Sequence, residues 1–90
     1  MSFRRPRGVA AVVEADTVYL ATLPSGPIRV LTGSAALIWE AALGNDRAST
    51  VRRAAEAAGV APAAVGPDVE TFLGELLELG LLESADEVTG

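Results

Sequence analysis

Near residue 32 the apolar pattern of this chain changes its period from two to about 3.6, and that one change constrains the fold most. Upstream, short runs rich in Val, Ile, Leu and Tyr are separated by turn residues, which predicts strands over 9–14, 17–23 and 28–31. Ala15-Asp16 makes a tight turn between the first two, and Pro24-Ser25-Gly26 turns the chain into the third. Val18 and Leu20 share one face of the second strand. Pro27 cannot donate to a ladder, so the third strand belongs at the edge of an antiparallel meander.

Downstream the spacing is helical. Ser34 is the expected N-cap of a helix over 35–43, whose stripe holds Leu37, Ile38, Ala41 and Ala42. Trp39 lies beside that stripe as the largest candidate for the core, and Gly44 ends the helix. A second helix is expected over 51–58, capped by Ser49 or Thr50 and stopped by Gly59. The third should begin near Pro67-Asp68, with Asp68 as its cap, and reach Leu79 before Gly80 closes it. A separate short turn is expected over 62–65, and Leu81-Leu82 packs back as an extended piece. Strands followed by helices make the class α+β, βββααα: a three-stranded antiparallel sheet followed by three helices, the inventory of a winged helix-turn-helix. The expected organisation is a basic N-terminal arm over 1–8, one domain over 9–83 and a flexible acidic tail over 84–90.

Ninety residues suffice for one small domain with a thin core. The chain has no cysteine and no histidine, which removes thiolate and imidazole metal ligands, the usual general base and most hydrolase triads. Glu75 and Glu78 read as a solvated helix face, and no phosphate-binding glycine loop occurs. Hence no catalysis, cofactor or metal is expected. The five-residue apolar run after Gly8 is stopped by Glu14, so neither a signal peptide nor a membrane span is expected and the cytoplasm is the expected location. Three arginines open the chain, but the remainder sets twelve acids against four arginines, which argues against nucleic acid as the main partner.

Binding remains. A free sheet edge exposes main-chain donors and acceptors, and this one carries Ile28, Val30 and Leu31 with Arg29 as its only charge. Such an edge can accept an extended peptide as an added strand. Val69, Phe72 and Leu76 on the third helix are core residues by default, or the second wall of a groove if the edge is open.

Two blocks of residues carry a family resemblance. Leu31, Ala35, Ile38, Trp39 and Gly44 form the first; Asp68, Val69, Phe72, Leu73, Leu76, Gly80, Leu81 and Leu82 form the second. In order and spacing the chain resembles the PqqD-like proteins over about residues 9–83. Thr32 departs from the usual Asn, and the second hairpin is tight. The resemblance implies a chaperone of ribosomally made, post-translationally modified peptides. It would bind the leader of a precursor peptide against the third strand, through Ile28, Arg29, Val30 and Leu31, with Asp68, Val69, Thr71, Phe72 and Leu76 on the helix closing the groove. Arg29 would pair with an acidic leader residue. A separate tailoring enzyme or leader peptidase, of a lasso-peptide or radical-enzyme type of pathway, would receive the peptide. The alternatives are a winged helix-turn-helix nucleic-acid-binding regulator using Arg52 and Arg53, and an interaction subunit that caps a partner through the same edge.

Overall fold

The computed structural model describes residues 2–85. Val9–Glu14, Thr17–Thr22 and Ile28–Thr32 form an antiparallel sheet; they are strands β2, β3 and β4 in chain order, and the sheet is ordered β2-β3-β4. The turn between β2 and β3 is two residues long, with Glu14 paired to Thr17 and Ala15 at φ 53°. Val18 and Leu20 are fully buried on one face of β3, as their alternation predicts.

Three helices follow: α1 Ser34–Ala42, α2 Arg47–Ala58 and α3 Pro62–Glu78. Their stops agree with the sequence reading, since Gly44, Gly59 and Gly80 all take positive φ. After α3 the Leu81 N–H returns to the Leu76 carbonyl at 2.9 Å, and this turn drives Leu81 and Leu82 into the core.

The starts differ from the reading. Gly33, not Ser34, precedes α1 and makes no side-chain cap; its φ of 58° and ψ of −129° suit a residue without a Cβ. Asp46, not Ser49 or Thr50, caps α2, because its carboxylate accepts from the Ser49 N–H at 2.8 Å. Thr50 is instead inside the helix and fully buried, its hydroxyl donating to the Asp46 carbonyl at 2.7 Å. The expected break at Gly66-Pro67 is absent, so Asp68 is not a cap and residues 62–65 belong to α3. Pro67 removes a bond to the Ala63 carbonyl, but both residues lie on the exposed face, where water can replace it.

The largest departure is at the termini. Ser2–Arg4 is a strand, β1, paired antiparallel with β5, Glu83–Ala85. Ser2–Arg4 of the expected arm thus pairs with a strand that includes Ser84 and Ala85 of the expected tail, whose residues 86–90 lie outside the described residues. Phe3 is buried, its N–H donates to the Asn45 carbonyl at 3.0 Å, and its carbonyl accepts from the Gly44 N–H at 2.8 Å. The Arg47 guanidinium lies 5.6 Å from the ring centroid. Arg4 forms an ion pair with Glu83, and Arg5 donates to the Val9 carbonyl. Trp39, Leu20, Leu73, Leu76, Leu81 and Leu82 fill the middle of the core.

Candidate functional site

The hairpin turn fixes which main-chain groups of β4 are free. A two-residue turn makes Glu14 and Thr17 a hydrogen-bonded pair, and such pairs recur at every second residue. The Leu23 N–H donating to the Gly8 carbonyl at 2.7 Å carries the same phase to the far end. Tyr19 and Ala21 therefore direct their main-chain groups to β2, while Val18 and Leu20 direct theirs to β4. Their partners there are Leu31 and Arg29. It follows that Ile28, Val30 and Thr32 turn their N–H and C=O groups to the open edge, where no strand pairs among the described residues.

Side chains divide in the complementary way. Arg29 and Leu31 share the helix-facing side with the buried Leu20 and Val18, and Leu31 is half-buried against the core. Ile28 and Val30 project from the outer face and are 70% and 54% exposed. Val30 completes a cross-strand row there with Tyr19 and Val12.

Behind the edge, α1 packs against both β4 and α3, whereas α3 and β4 make no extensive contact with each other. Helix α1 thus lies between β4 and α3. A cavity of about 150 Å³ lies among the three helices, lined by Ser34, Leu37 and Ile38 of α1, Ala54 and Ala58 of α2, and Val65, Asp68 and Val69 of α3. Asp68 and Thr71 are exposed and Phe72 is half-buried, so these three offer surface. Val69 and Leu76 are 2% and 1% exposed and belong to the core. Thr32, read from the sequence as lying beside the edge strand, has its main-chain groups on the open edge, and Leu37, read as part of the α1 stripe, lines the cavity. The two-residue turn, counted forward, signals Thr32; Leu37 sits on an apolar stripe that reads equally well as core.

A larger cavity, about 450 Å³ between α2 and α3, is lined in part by Arg47, Arg52 and Glu70 and includes no residue of the sheet. Among the described residues no three Asp, Glu, His or Cys side chains gather as metal ligands. The hydrogen bond from the Ser49 main chain holds the Asp46 carboxyl below its ordinary value, with the Ser49 hydroxyl and Arg52 contributing, but this group serves the α2 cap. No helix is long and apolar enough to cross a membrane among the described residues.

Residues 9–82 match the family model described as coenzyme PQQ synthesis protein D, PqqD. The chain belongs to the PqqD family. Its matched span holds the β2-β3-β4 sheet, all three helices and the buried Leu81-Leu82 pair; β1 and β5 lie outside it. No curated protein matches the chain in sequence. Among solved structures the chain is similar to "TbiB1 in Complex with the TbiA(beta) Leader Peptide", at 24% identity and a TM-score of 0.78, covering 93% of this chain and 99% of that one. That likeness establishes the fold of three antiparallel strands followed by three helices. Neither match involves nucleic acid, and the winged helix-turn-helix label is not needed to describe this PqqD-family fold.

Proposed function

We propose that this PqqD-family protein recognises the leader segment of a ribosomally made precursor peptide and presents it to a separate modifying enzyme or leader peptidase. The observation that carries the reading is the β4 edge: Ile28, Val30 and Thr32 direct main-chain groups outward that no strand pairs among the described residues, and α3 would wall the groove beside them. An added strand would satisfy those groups and cover Leu31 and Phe72. The leader-peptide complex formed by the structurally similar TbiB1 supports the same reading. The protein acts without catalysis, in the cytoplasm, where precursor peptides are made; the absence of histidine and cysteine agrees with a binding role.

An NMR titration of the labelled protein with synthetic leader segments of short precursor peptides encoded beside it tests this. Amide shifts concentrated in residues 28–32 and 68–72 are the expected result. Binding of every segment elsewhere on the surface, or of none, would overturn the proposal.

A further inference from the structure

If a peptide adds to β4, the register of β4 also dictates what that peptide must contain; the inference rests on the strand-addition reading. Arg29 and Leu31 stand two residues apart on the helix-facing side, about 7 Å along the strand. Arg29 is exposed and, among the described residues, its side chain takes part in no ion pair or hydrogen bond, although the chain carries a net charge of −5. Its guanidinium presents a fork of donors suited to a carboxylate. Leu31 is half-buried, so an apolar neighbour beside it would complete its burial.

Asp68 sets the polarity. It shares a cavity with Ser34, two residues beyond the end of β4, and so stands at the Leu31 end of the groove rather than the Arg29 end. A carboxylate on the ligand is repelled there and attracted at the other end. We propose that Arg29 and Leu31 select a peptide with an acidic and an apolar side chain two residues apart on its groove-facing side. The residue between them would lie beside Val30 and extend the apolar outer row of Val12, Tyr19 and Val30.

The test is selection of random dodecapeptides, displayed in a library, on the immobilised full chain and on its Arg29→Glu and Arg53→Glu variants. Arg53 lies on α2, so its variant makes the same change in net charge away from the edge. Wild type and Arg53→Glu should enrich Asp or Glu two positions from Leu, Ile, Val or Phe. With Arg29→Glu, Lys or Arg should replace the acid while the apolar position persists. A selected acidic peptide should lose about three- to ten-fold in affinity on Arg29→Glu, less at high salt, and its lysine-substituted version should recover it. Enriched peptides that bind at the β4 edge without the acid, or keep it on Arg29→Glu, would overturn the inference and leave strand addition standing. No enrichment on any of the three proteins would remove both.

Discussion

The indole N–H of Trp39 donates to the main-chain carbonyl of Leu81 at 3.2 Å, inside the core. This bond joins the middle of α1 to the turn that follows α3, and both residues are 2% exposed. Trp39→Ala should destabilise the protein by about 3–5 kcal/mol through the cavity it leaves. Trp39→Phe keeps much of the packing but strands the Leu81 carbonyl, so a smaller loss of about 1–3 kcal/mol is expected. Urea unfolding followed by circular dichroism measures both. A Trp39→Ala variant as stable as wild type would contradict the placement of the core.

Phe3 and Arg4 are neighbours with very different expected weight. Phe3 is buried beneath the Arg47 guanidinium and bridges to Leu43, whereas the Arg4–Glu83 pair is exposed at the surface. Phe3→Ala should cost about 3–5 kcal/mol, and Arg4→Ala less than about 1 kcal/mol. The contrast is read by thermal and urea unfolding of the two variants. Equal, small effects would mean that β1 is dispensable to the domain.

These residues also mark where the sequence stopped being legible. The strands of the main sheet, their turn and the Val18/Leu20 face follow from local alternation, because one buried face forces that pattern. The β1–β5 pair has no such signal: each strand has three residues, and Phe3 is the only large apolar side chain in either. At the start of α2, Asn45, Asp46, Ser49 and Thr50 all have capping side chains, and the bond from the Ser49 N–H to the Asp46 carboxylate is what distinguishes the cap. In the groove, helical spacing placed Val69, Phe72 and Leu76 on one stripe, yet could not say that only Phe72 among them keeps exposed surface. The open edge was legible from Pro27 and strand order; which residues face outward needed the ladder phase.

The α2 cap predicts a pH dependence. Asp46 has its folded-state pKa lowered from an ordinary 3.8, chiefly by the Ser49 N–H. A depressed carboxyl stabilises the fold above its unfolded value and loses that contribution as pH falls toward the folded value. Stability should therefore decline from about pH 4 downward in part through this group. Asp46→Asn retains a capping oxygen that does not titrate, and should flatten that part of the acid-unfolding profile. The comparison is made by measuring Tm against pH for both proteins; superimposable profiles would exclude Asp46 as a contributor.

Adjacent residues of β4 should respond in opposite ways to proline. The ladder phase turns the Val30 N–H to the open edge and the Leu31 N–H toward Val18. Val30→Pro therefore deletes a donor that only an added strand would use. It should leave the far-ultraviolet circular dichroism and Tm close to wild type while weakening a bound leader peptide at least ten-fold, because the ring also obstructs the approaching strand. Leu31→Pro deletes a bond within the sheet, and its loss appears first in stability, at about 1 kcal/mol or more before any effect on the half-buried leucine is added. Fluorescence anisotropy with a labelled leader peptide, beside urea unfolding, separates the two. If Val30→Pro unfolds the sheet and Leu31→Pro does not, the ladder phase is reversed and the open-edge groups belong to Arg29 and Leu31. If neither change affects binding, the peptide does not pair with β4.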